Sequence, residues 1–239
     1  MSNKHPERLT LACADLDARP LFWTDSNQQR HGYEPAIATL VAGRLKLEID
    51  WRFHRWSDFV PALESAQVDA IWCGCAITPQ RSQQFLFSTP YAYFDESVLV
   101  RTDSGISKPA DLAGRRVGAI AGSTNMALAE RWQSCEKVPF DGKSDDVFCD
   151  MINALVRGDI DAVVDDEPAF GAQLANPSFE IAFTVPTQNA WGVAMRHDQT
   201  ELKSRLDRAL ASLVGNGQVE QVWQEWLPDI PVPEQFARH

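Results

Sequence analysis

The chain has 239 residues, 44% hydrophobic and 23% charged, the profile of a soluble globular protein of one large or two ordinary domains. Its net charge of −11 excludes the basic face that a nucleic-acid partner needs. No apolar run approaches the roughly 18–20 residues of a membrane span.

In chain order, short strands alternate with helices. The opening MSNKHPERLTLACAD has no apolar leader, so a leader has been removed, the chain is cytoplasmic, or it belongs to a larger receptor. Leu9–Ala14 reads as a strand, Pro35–Leu45 as a helix with Pro35 in its first turn, and Lys46–Phe53 as an alternating strand. Ser57 is expected to cap a helix carrying Phe59, Val60 and Leu63, and Val68–Cys75 to form a buried strand. Thr78 then caps a helix opening on Pro79, which puts Arg81 in its first turn.

After an extended Ser97–Thr102 comes a second α/β block. Arg116–Ala121 is a strand, and Ser123 or Thr124 opens a helix containing Met126, Ala129 and Trp132. Ser144–Val156 is the clearest helix, with Ser144 as cap, an apolar stripe of Val147, Phe148, Met151, Ile152, Leu155 and Val156, and Gly158 as stop. Asp161–Asp166, Phe179–Thr184 and Trp191–Met195 read as strands; helices follow around Leu202–Leu213 and Gln218–Leu227. The five cysteines do not have zinc spacing, and Cys135 and Cys149 are left open as a pair.

Two facing α/β lobes place the carboxyl ends of their strands around a cleft. A cation in a helix's first turn gains nothing from the dipole but can meet an anion there, so Arg81 is a candidate carboxylate clamp; the alternative is a solvated surface arginine. Asp166, at a strand end, could hold an ammonium or cap the following turn. GAIAGSTNM, Gly118–Met126, is a glycine turn at a helix start, without a nucleotide-binding pattern. Trp56 stands at a strand-to-helix junction, where ligand stacking and core packing both fit. There is no GxSxG and no HExxH, and His5, His31, His54, His197 and His239 all stand in polar or terminal contexts, so no catalytic residue, metal or cofactor is expected.

An ordered series of motifs carries a resemblance over nearly the whole chain: HGYEPAIATLVAGRL, RWSDFVPALESAQVDAIWCGCAITPQRSQQFLFSTPY, KPADLAGRRVGAIAGST, VRGDIDAVVDDEP, WGVAMR and LDRALASLVGNGQVEQVWQEWL. The chain resembles the type II periplasmic substrate-binding proteins of ABC importers, in the polar amino acid branch, solute-binding family 3. The resemblance implies an α/β clamshell: lobe 1 of residues 1–97 and 193–239, lobe 2 of 98–192, and hinge strands near 97–102 and 191–195. It implies that Arg81 grips a ligand α-carboxylate with help from Gly74 and Ala76, that Ser123 and Thr124 add donors, and that Asp166 takes the α-ammonium. Trp56 would be an aromatic wall and Asp15 a first-loop acid; with Asp17 it hints at a polar or cationic ligand side chain.

Two departures stand out. Ala76 replaces a common Ser or Thr, a lost hydrogen bond on the order of 1 kcal/mol or more. The first loop, ACADLDARPLFW, lacks an aromatic near Ala18, for which Phe22 or Trp23 would substitute. The expected partners are a small amino acid-like ligand and the membrane subunits of an importer, with the chain a periplasmic monomer. The rival readings are a ligand-sensing domain or cytoplasmic relative, and a cyclohexadienyl dehydratase-like enzyme, in which Glu167 would have to act as the acid.

Overall fold

The computed structural model describes residues 7–237; His5 and His239 lie outside the described residues. The first half builds one sheet. Strand β1 (Arg8–Cys13) leads through a short hairpin, β2 (Trp23–Thr24) and β3 (Arg30–His31), to helix α1 (Tyr33–Leu45). Strand β4 (Glu48–Phe53), helix α2 (Phe59–Glu64), β5 (Ala70–Ile71) and β6 (Leu86–Phe87) follow. The second sheet contains β7 (Ala92–Arg101), β8 (Arg116–Ile120), β9 (Glu136–Phe140), β10 (Ala162–Asp166) and β11 (Phe179–Trp191), with helices α3 (Thr124–Glu130) and α4 (Val147–Arg157). The chain then returns to the first sheet as β12 (Ala194–Met195) and ends in helices α5 (Thr200–Gly215) and α6 (Gln218–Trp226).

The strand orders are β4-β1-β5-β12-β6 and β11-β7-β10-β8-β9. β1 runs parallel to β4 and β5, and β8 parallel to β9 and β10, the arrangement that needs helical crossovers and buries both faces. The result is a two-lobed α/β clamshell, each lobe a sheet flanked by helices. β7 and β11 are antiparallel partners on one side of the second sheet, and their register shifts between Val185 and Asn189. The lobes touch across the cleft through Arg55 Nε–Asp145 Oδ1 at 2.7 Å and the Ser57 N–H donating to Gly142 O at 3.2 Å.

Several local expectations change. Ser57 is not a helix cap: its residue lies in a 3₁₀ turn before α2, where Asp58 stands at the cap position, and Val60 is exposed. Val68–Cys75 shortens to the two-residue β5, because it pairs only briefly with β1 and β12. Ser144 does not cap α4; Asp146 does, its Oδ1 accepting the Cys149 N–H at 2.8 Å. Val156 is 59% exposed, since Ala154 rather than Val156 turns inward beside Met151 and Leu155. Trp132 lies beyond the end of α3. All five cysteines are free, with Cys135 buried and Cys149 exposed. Strand β9, interrupted by Pro139, has no clear sequence signal; it is an edge strand, where a missing N–H is tolerated.

Because Asp146 satisfies an orphan amide and complements the helix dipole, Asp146→Ala is expected to destabilise the protein by about 1 kcal/mol. Urea unfolding checks this; a larger loss from Ser144→Ala would assign the cap to Ser144 instead.

Candidate functional site

A cavity of ≈ 90 Å³ lies between the lobes, at the carboxyl end of β10. Leu16, Ala18, Leu21 and Phe22 from the first loop and Val147, Phe148 and Ala169 from the second lobe form apolar walls. Arg81, Thr124, Asn125, Asp165 and Asp166 supply polar groups. Phe22 thus takes the aromatic place in the first loop. Trp23 faces away, against Arg19 and Trp226.

Arg81 sits in a single 3₁₀ turn, Arg81–Gln83, rather than an α-helix, so no helix dipole acts on it. Thr78 still supports the turn, its Oγ1 accepting the Arg81 N–H at 3.1 Å. The guanidinium donates from Nη1 to Ala76 O at 3.1 Å and from Nη2 across the cleft to Gly122 O at 3.2 Å. It forms no ion pair among the described residues, so its charge is available to an anion.

The other expected carboxylate donors are rearranged. Gly74 lines the cavity in a left-handed conformation at φ 57°, with the Trp191 ring against its α-carbon. Its N–H does not face a ligand, because it donates to Glu34 Oε1 at 2.9 Å. Glu34 is 1% exposed, also accepts the Tyr91 hydroxyl, and burial raises its pKa. Ala76 is buried outside the cavity lining, bridged to Trp191; its part is to seat Arg81 through its carbonyl. The Ser123 hydroxyl caps α3, accepting the Met126 N–H at 3.0 Å, and gives its one proton to Ile120 O at 2.7 Å. Thr124, the next residue, lines the cavity with its hydroxyl unengaged among the described residues.

Trp56 is half-buried on the cavity wall and packs on Gly142, where an added Cβ would lie 2.9 Å from the indole Cδ1. Asp15 is not brought to the cavity. It is exposed and accepts the Thr24 hydroxyl at 2.8 Å, on a separate rim with His54, Arg55 and Asp145. The hairpin of β2 and β3 holds it there, a local turn that composition does not reveal.

Acids gather at the opposite wall. Asp166 is 7% exposed, lines the cavity, and its Oδ1 has no hydrogen-bond partner among the described residues. It stands opposite Glu96, 2% exposed, in the β10–β7 ladder, and Glu96 Oε1 accepts the Asn125 amide at 3.1 Å. Burial, then repulsion from Asp165 and Glu96, raises the pKa of Asp166 well above the carboxylate range. Asp165 accepts the Asp166 N–H at 2.8 Å and is pushed up to about 7, mainly by burial. Asn125 and Glu96 have no role in the sequence reading, in which the adjacent Asp165 and Glu167 leave the choice of Asp166 open. Glu96 emerges only from strand register.

One cavity therefore offers an unpaired cation and unpaired carboxylates between apolar walls, which suits a zwitterion. The model of the bacterial extracellular solute-binding proteins, family 3, matches residues 11–229. ABC transporter arginine-binding protein 1 of Escherichia coli (strain K12) is 27% identical over 210 residues, covering 85% of this chain and 84% of that protein. The holo ArgBP structure from T. maritima superposes with a TM-score of 0.77 at 28% identity, over 86% of this chain and 90% of that one. The ancestral amino acid-binding protein AncCDT-1, a precursor of cyclohexadienyl dehydratase, shares the fold at a TM-score of 0.79 and 23% identity, over 92% and 94%. With fold, cleft and a match over most of its length in agreement, the chain belongs to the bacterial extracellular solute-binding proteins, family 3.

Proposed function

We propose that the protein binds a small α-amino acid reversibly between its lobes, without turnover, and presents it to the membrane subunits of an ABC importer in the periplasm. The observation that carries this reading is the pairing, in one cavity, of the unpaired Arg81 guanidinium with the partnerless Asp166 oxygen. Arg81 and Thr124 take the carboxylate, Asp166 takes the ammonium, and Trp56 and Phe22 close the walls. In this reading lobe 1 comprises residues 1–97 and 193–239 and lobe 2 residues 98–192, with hinge strands near 97–102 and 191–195; the return of the chain from β11 in the second sheet to β12 in the first supports the second of these crossings. Ligand contacts to both lobes favour the closed form and shift the population toward it. Glu167, the acid that the dehydratase-like reading assigns, is not among the residues lining the cavity, which counts against that reading.

A thermal-shift screen over the amino acids tests the proposal. Saturation at about a hundred times Kd should add about 2.7 kcal/mol to apparent stability. A shift of Tm with no α-amino acid would overturn the head-group assignment, and consumption of prephenate would overturn the absence of turnover.

A further inference from the structure

Asp165 and Asp166 are consecutive on β10, so their side chains leave opposite faces of the sheet. Val164 and Val98 pack in the core beneath α3, whereas Val163 and Leu99 pack with Phe148, Met151 and Leu155 of α4. By that alternation Asp166 and Glu96 lie on the α3 face, with Asn125, and Asp165 lies on the α4 face. The cavity crosses the tip of the strand and is lined by both aspartates. On the α4 side its other walls, Leu16, Leu21, Phe22, Phe148 and Ala169, are apolar.

Asp165 is the charged group left over on that side. Asp145 also lines the cavity, but its side chain is 87% exposed and paired with Arg55. Asp165 spends acceptor capacity only on the neighbouring Asp166 N–H and forms no ion pair among the described residues. A partly buried carboxylate at the edge of an apolar compartment is stabilised by a cation that reaches it through that compartment.

We propose that Asp165 is a specificity-determining residue that selects an α-amino acid carrying a second cationic group on a short apolar stem. This rests on the head-group reading above: Asp166 holds the α-ammonium, and Asp165, one residue back and on the other face, holds the ω-cation. The stem packs against Leu21, Phe22 and Phe148. The first-loop acids play no part, since Asp15 is tied to Thr24 outside the cavity.

Isothermal titration with ornithine and with norvaline, the same chain without the terminal amine, tests this on the wild-type chain and on Asp165→Asn and Asp165→Glu. Asparagine keeps an acceptor for the Asp166 N–H, and the Tm of each unliganded variant reports whether its fold survives. The wild type should bind ornithine at least about tenfold tighter than norvaline, Asp165→Asn should erase that preference with norvaline affinity retained, and Asp165→Glu should restore part of it. Equal or tighter binding of norvaline by the wild type overturns the role of Asp165 while leaving the head-group reading intact. Equal weakening of both ligands by Asp165→Asn overturns it too, assigning Asp165 a structural part. Binding of neither ligand overturns the head-group reading and this inference with it.

Discussion

Replacing Arg81 by alanine is expected to abolish amino acid binding and leave the fold intact. The guanidinium donates to two carbonyls, Ala76 O and Gly122 O, lies beside the Cys75 thiol, and forms no ion pair among the described residues. Its removal should therefore change the stability of the unliganded protein by less than about 1 kcal/mol. The loss to binding is far larger, because a ligand carboxylate already taken out of water would be left without its counter-charge. Breaking such a pair costs about 3–5 kcal/mol, or roughly two to four orders of magnitude in Kd. Arg81→Lys should recover only part of this, since an ammonium cannot reproduce the planar two-donor fork. Calorimetric titration decides; unchanged affinity in Arg81→Ala would remove Arg81 from the site.

The second large effect has opposite signs in binding and stability. Asp166→Asn should cost about a hundredfold or more in affinity by deleting the counter-charge of the ammonium. The same change should stabilise the unliganded protein by on the order of 1–2 kcal/mol, about 2–8 °C in Tm for a chain of this size. The cause is the crowding of Asp165, Asp166 and Glu96, each with a pKa raised by burial. A carboxyl titrating higher in the folded than in the unfolded chain leaves the folded state binding more protons between the two pKa values. For Asp165 that window runs from about 4, the ordinary unfolded value, to about 7. Unliganded wild type should thus lose stability as pH rises through this window, and Asp166→Asn should flatten the profile. A melting temperature that instead climbs steadily from about pH 5 to about pH 8 would contradict the crowded-acid reading.

The elements most legible in the sequence were those whose signals are local. Helix α4 shows its apolar stripe and glycine stop, and β10 its apolar run; both appear within a residue or two of expectation apart from the cap at Asp146. Arg81 and Asp166 were legible as candidates because the turn and strand end that carry them have chain-local signatures. What could not be read depended on partners distant in sequence. Glu96 matters because register sets it opposite Asp166, and the Gly74 amide is diverted because Glu34 lies beneath it. The displacement of Asp15 likewise follows from Thr24, brought back by the β2–β3 hairpin.

The prior commitment of Gly74 and Ser123 has a kinetic consequence. Two groups expected to donate to the ligand carboxylate, the Gly74 N–H and the Ser123 hydroxyl, already serve Glu34 and Ile120. Each absent donor is worth about 1 kcal/mol, and such differences fall chiefly on dissociation. The bound amino acid should therefore have a residence time about thirtyfold shorter than in a cleft where both donors engage it. Ser123→Ala should leave the dissociation rate nearly unchanged in stopped-flow measurements, while Thr124→Val should speed it several-fold. A cleft built this way releases its ligand readily, because Arg81 and Thr124 are the carboxylate donors it keeps uncommitted.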